Sequence, residues 1–191
     1  MNQTESPEEN YRINKAFVEK MQPIAIEQFY TNVWPGVDVM ELDIDLKNKL
    51  AGVIDKGGAD KLLRFKNGNI AFLAQRFRGY EYKKYDQFTI RDSELSKSIN
   101  SLENSGFIAS YYAYGFSNTR ESSFVKFRIF LYKETLIYIL PNLRKYPWLP
   151  NKDGKHPFRG IPFKNLPNEL FLLKYPECNQ LTLWDSEIRT N

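Results

Sequence analysis

Asn67-Gly68 sits between two apolar runs, and no other pair of residues restricts the folding of this chain as tightly. Both tolerate the positive φ that a two-residue type I′ turn requires. Residues 57–80, GGADKLLRFKNGNIAFLAQRFRGY, are therefore predicted to form a β-hairpin with strands at about 60–65 and 70–78. With Asn67 and Gly68 as the whole loop, Phe65 faces Ile70, Leu63 faces Phe72, Lys61 faces Ala74 and Asp60 faces Gln75. Side chains so opposed lie roughly 4.5–5.5 Å apart at Cβ. The register sorts Leu63, Phe65, Ile70, Phe72 and Ala74 onto an apolar core face. Asp60, Leu62, Arg64, Ala71, Leu73, Gln75 and Phe77 fall on a mixed face.

Around the hairpin, helical and extended periods alternate. Residues 1–10 are polar and acidic, as in a flexible tail. Residues 11–191 read as a single domain, with its core at about 15–140 and a C-terminal extension at 147–191. Ile13, Phe17, Met21, Ile24 and Gln28 recur at helical spacing, Pro23 is expected to bend or restart that helix, and VWPG at 33–36 ends it. A second short helix is predicted at about 45–54. Residues 87–91, 106–117 and 123–132 read as strands, 92–105 as loop or short helix, and a further helix stops near Pro141. The fold class is α/β (α+β) with a mixed sheet.

Composition removes several kinds of chemistry. With 42% hydrophobic residues the chain can bury a core, and a net charge of +4 permits a polyanionic partner without requiring one. Cys178 is the only cysteine, so no internal disulfide forms. His156 is the only histidine, which excludes a histidine-rich zinc site. Metal chemistry would rest on carboxylate and carbonyl oxygens, which suit Mg²⁺ or Mn²⁺. The polar N-terminus lacks an apolar signal core, and no apolar run reaches the roughly 18 residues of a membrane span. An intracellular, non-membrane protein is expected.

The segments GGADKLL and GNIAFLAQRFR, with the continuation to AQRFRGYEYKKYDQFTIR, resemble the core of the PD-(D/E)XK (restriction-endonuclease-like) nuclease superfamily, particularly small phage- and prokaryote-type members. The resemblance covers about residues 15–140. In that pattern an acid opens one strand, a second acid or a glutamine lies on the paired strand, and a lysine follows two residues later. The resemblance implies a mixed β-sheet flanked by helices, in the order acid-bearing helix, hairpin, strand, helix, strand. It implies Asp60 as the metal-binding acid, Gln75 as the second ligand and Glu27 as the helix-borne acid. Together they would hold Mg²⁺ or Mn²⁺ for phosphodiester hydrolysis, of DNA ahead of RNA. Phe77 stands where the pattern has lysine, so the positive charge falls to Arg76, Arg78 or Lys61. Strand alternation sets Arg76 and Arg78 opposite Gln75 unless a bulge near Gly79 re-aims Arg78.

Residues 76–91 interleave basic and aromatic side chains, the composition of a surface that neutralises phosphates and stacks on bases. Lys61, Arg64, Tyr80, Tyr82, Lys83, Lys84, Tyr85 and Arg91 are the candidate nucleic-acid contacts. Arg144, Lys145, Lys152, Lys155 and Arg159 read as ordinary surface. Simpler roles compete: Asp60 as a turn acid, Gln75 as a strand residue bonded to a neighbour, Glu27 as a solvated helix acid, and Glu41, Asp43 and Asp45 as an exposed acidic face. The alternatives to a nuclease are a catalytically inactive nucleic-acid-binding module of the same fold and a protein-interaction domain. A homodimer is left open.

Overall fold

A computed structural model describes residues 6–42, 59–104, 109–151 and 157–176. The helix expected at 45–54, together with Asp43, Asp45, Lys152, Lys155, His156 and Cys178, lies outside them.

Helix α1 (Pro7–Ala25) begins inside the expected tail because the local chemistry favours it: Ser6 Oγ accepts the Glu9 N–H at 3.2 Å, Pro7 occupies the first turn, and Glu8 and Glu9 face the positive end of the dipole. Pro23 does not stop the helix. The chain runs on through a π-helical turn, Ile26–Tyr30, into a final α-turn, Thr31–Val33. The wider turn shifts the helical phase, so the adjacent residues Phe29 and Tyr30 are both buried. Met21, Ala25 and Phe29 carry the buried stripe, while Ile13 and Gln28, expected on it, are exposed.

Strands β1 (Asp38–Glu41), β2 (Lys61–Arg64) and β3 (Ile70–Arg78) form an antiparallel meander. β4 (Gln87–Arg91) leaves it, helix α2 (Asp92–Glu103) crosses over, and β5 (Tyr111–Ser117) returns parallel to β3. β6 (Phe124–Leu131) adds antiparallel to β5, and helix α3 (Tyr132–Ile139) follows it. The large mixed sheet runs β1-β2-β3-β5-β6-β9, closed at its edge by β9 (Phe171–Tyr175). β4 belongs to a small sheet, β4-β8-β7, with β7 (Trp148–Leu149) and β8 (Phe158–Pro162). The expected C-terminal extension therefore supplies strands to both sheets. Among the described residues no helix is long and apolar enough to cross a membrane.

The hairpin forms, but in another register. Gly68 N–H donates to Phe65 O, Phe65 N–H donates to Asn69 O, and Gly68 has φ +84°. The loop is thus three residues long, with glycine in the left-handed position, rather than a two-residue type I′ turn. Lys61 pairs with Leu73, Leu62 with Phe72, Leu63 with Ala71 and Arg64 with Ile70. The one-residue slip exchanges faces on β3. Ala71, Leu73 and Phe77 join Leu63 beneath α1, against Met21, Tyr30 and Phe127. Phe72 and Ala74 join Leu62 on the opposite side, against Phe88 and Ile90 of β4, Leu95 of α2 and Tyr112 and Tyr114 of β5. Two aromatic-rich cores thus sandwich the large sheet.

Candidate functional site

The register decides what Asp60 and Gln75 can do together. Asp60 N–H donates to Leu73 O at 2.9 Å, and Asp60 Oδ2 accepts the backbone N–H of Gln75 at 2.7 Å. The two residues touch, but through the Gln75 main chain. The Gln75 amide points the other way, towards α1: its Oε1 accepts from Tyr30 Oη at 3.2 Å, and its Nε2 donates to Gln22 Oε1 at 2.7 Å. Burial pushes the Tyr30 hydroxyl well above its ordinary pKa, and the negative charge of Asp60 adds to the shift. Tyr30 therefore stays protonated and remains a donor.

Of the predicted ligand set, Asp60 and Gln75 line one cavity and Glu27 does not. The Gln75 amide is nonetheless occupied by Tyr30 and Gln22. Glu27 is exposed on the π-turn and takes no part in lining the Asp60 cavity. No bulge re-aims Arg78, because the β3–β5 pairing continues without a shift from Leu73 to Arg78. Arg76 and Arg78 share the face away from Gln75, as alternation requires.

Asp60 lines a polar cavity of about 380 Å³ with Gln75, Arg76, Glu94, Lys97, Ser98 and Tyr132. β2–β3 supplies Asp60 and Arg76, and the first turns of α2 supply Glu94, Lys97 and Ser98. Glu94 is fixed at both oxygens: Oε2 accepts the Arg91 N–H at 2.9 Å, and Oε1 accepts from Arg76 Nη2 at 3.0 Å. Arg76 Nη1 also donates to Thr89 O at 2.9 Å and to Thr89 Oγ1 at 3.2 Å, tying β3 to β4. Burial opposes the Arg76 charge, but Tyr112, Glu94 and Tyr114 outweigh it and raise its pKa. Burial also pushes Tyr132 up to about 12, against the lowering effect of its bond to Ser98.

Asp60 and Glu94 are the carboxylates of this cavity. One or two protein carboxylates are what Mg²⁺ commonly accepts, with water and substrate phosphate completing its shell. The pair fits that requirement, although among the described residues no group of three or more potential metal-binding side chains occurs.

The predicted nucleic-acid contacts separate. Lys61 is buried and paired with Glu41 of β1, and Arg64 is paired with Asp38 at 2.5 Å, so both charges are met within the sheet edge. Lys83 lies over the Tyr80 ring at 3.6 Å and Lys84 near the Tyr85 ring at 5.1 Å. Tyr82, Tyr85 and Arg91 do come together with Arg76 and Arg78, around a second cavity of about 510 Å³. Glu94 and Lys97 were missed because 92–105 read as loop or short helix. A glutamate three residues after the Arg91 cap position was the signal for a helix start.

Comparison of this chain with protein-family models, with curated proteins and with solved structures gives no match.

Proposed function

We propose that the chain is a restriction-endonuclease-like nuclease that works inside the cell and hydrolyses phosphodiester bonds, in DNA ahead of RNA, with Mg²⁺ or Mn²⁺. The observation that carries this reading is the convergence of Asp60, Glu94, Arg76 and Lys97 on one cavity beside the parallel β3–β5 pair. The element order supports it: helix, antiparallel strands, crossover helix and a parallel strand follow the sequence that the resemblance implies. The proposed centre is Asp60 and Glu94, replacing Asp60, Gln75 and Glu27.

In this centre Asp60 and Glu94 would hold the cation. When bound, it supplies Lewis-acid polarisation of a phosphoryl oxygen and lowers the pKa of an attacking water. Arg76 and Lys97 add positive charge on the same wall, suited to the charge that builds up on a phosphate in the transition state. Arg76 is preorganised for that role, because Thr89 and Glu94 hold its guanidinium in place before substrate arrives.

One observation favours a second reading. Gln75, on the wall of the Asp60 cavity, offers no carboxylate, and its amide is already bonded to Tyr30 and Gln22. That is the pattern of a catalytically silent nucleic-acid-binding module. Incubation with supercoiled and linear DNA, with Mg²⁺, Mn²⁺ or EDTA, separates the two. Metal-dependent cutting that Asp60→Ala abolishes is the expected result, with nicked or linear product reporting one cut or a two-copy, two-strand cut. Undiminished cutting by Asp60→Ala would remove the site. Salt-sensitive DNA retention without cutting would support the silent module, and no retention at low salt would leave the protein-interaction alternative.

A further inference from the structure

We propose that the cavity of about 510 Å³ between the two sheets is a nucleotide pocket, taking a phosphate on Arg78 and Arg91 and a base against Tyr82. The choice of a nucleotide rests on the nuclease reading; the geometry of the pocket does not. Arg76, Arg78 and Arg91 line it, and among the described residues no aspartate or glutamate does. Glu94 pairs with Arg76, whereas Arg78 has no carboxylate partner among the described residues and donates to hydroxyls, Tyr114 Oη at 3.4 Å and Thr89 Oγ1 at 3.3 Å. Those long bonds aim the guanidinium without meeting its charge. A half-buried arginine with no carboxylate partner among the described residues suits an anion, and its planar donor fork matches phosphate.

The rest of the wall selects a flat ring. Tyr82 is half-buried, with its ring centre 5.4 Å from the Arg78 guanidinium carbon, so a cation and an aromatic face stand side by side. Tyr85 is exposed at the rim, and Phe116 and Leu149 add apolar surface. The volume lies within the roughly 300–1,000 Å³ typical of small-molecule sites. Arg76 lines both cavities, so a nucleotide seated here would be adjacent to the Asp60 centre. The pocket's chemistry suits either a free nucleotide or the phosphorylated terminal nucleotide of a strand.

Calorimetric titration with a nucleoside 5′-monophosphate, the parent nucleoside, inorganic phosphate and a 5′-phosphorylated oligonucleotide tests the assignment. The monophosphate should bind about tenfold or more tightly than the nucleoside or phosphate alone. Arg78→Gln should weaken it about tenfold or more, and Tyr82→Ala about fivefold or more. Tyr82→Ala keeps the test open should Arg78→Gln fail to fold. Asp60→Ala should bind the nucleotide as the wild type does while losing DNA cleavage. A tighter oligonucleotide identifies a strand-end site, and an equal or weaker one a free-nucleotide site. The proposal is overturned if the monophosphate binds no better than its fragments, if neither pocket variant weakens it, or if Asp60→Ala removes it. Nucleotide binding without DNA cleavage by the wild type would sink the nuclease reading and leave the pocket standing.

Discussion

Replacing Glu94 with glutamine preserves the size of the side chain and removes its charge. Arg76 keeps its bonds to Thr89 but loses the carboxylate that lies 3.0 Å from Nη2. The Arg76 side chain is 16% exposed and the Glu94 side chain 37%, so one partner is largely desolvated and the other is partly in water. Breaking a fully buried pair costs roughly 3–5 kcal/mol, while an exposed pair is worth at most about 1 kcal/mol. The expected loss lies between, at about 2 kcal/mol, or roughly thirtyfold in the folding equilibrium. Urea unfolding should show a lower midpoint at an unchanged m-value. Arg76→Met and the Arg76→Met/Glu94→Gln double variant complete a cycle, in which the double loss should fall short of the summed single losses by about 1 kcal/mol or more. Glu94→Gln within about 0.5 kcal/mol of the wild type, or strictly additive losses, would show a solvated pair and refute the tight wall drawn between the two cavities.

Two further outcomes follow from the same geometry. Gln75→Glu would place a carboxylate against Tyr30 and Gln22 beneath α1, so it should cost about 1–3 kcal/mol in urea unfolding and give no gain in metal-dependent cutting; a gain would mean that residue 75 faces the metal after all. Tyr132 keeps its proton in the fold up to about 12, against roughly 10 in the unfolded chain, so its contribution is intact below pH 10 and is lost as pH rises towards 12. That difference amounts to about 2–3 kcal/mol, visible as a falling urea midpoint between pH 10 and 12, and Tyr132→Phe should flatten the slope.

Much of the fold was legible in local pattern. The hairpin, the strand at 87–91, the strands ending at Ser117 and Leu131, and the helix halted near Pro141 all follow from periodicity and breaker residues. What the pattern could not supply was set by longer-range packing. The sixfold sheet order requires β9 to pair with β6, and short apolar runs near the C-terminus carry no signal of which edge they will join. The separation of β4 from the large sheet is likewise a tertiary choice, since QFTIR has the same strand character whichever sheet accepts it. The π-turn after Ala25 is equally silent in the sequence, because it arises where Phe29 and Tyr30 are both drawn into one core.

The candidate site turned on a single residue of loop. Asn67-Gly68 fits a two-residue turn and also the last two positions of a three-residue one, because glycine satisfies the left-handed position in either. Burial separates them. The two-residue loop would have put Phe72 and Ala74 with Leu63, whereas the observed pairing buries Leu63, Leu73 and Phe77 together beneath α1. Phe77, read in the sequence as a missing lysine, is thereby a core residue packed edge-on to Phe124 at 5.1 Å, and it has no catalytic position to vacate. The cationic residue of that strand facing Asp60's cavity is its neighbour Arg76, one step along. A motif aligned by residue identity alone therefore cannot say how these side chains are engaged, while the observed structure shows Arg76 tied to Glu94 and Thr89 and the Gln75 amide tied to Tyr30 and Gln22.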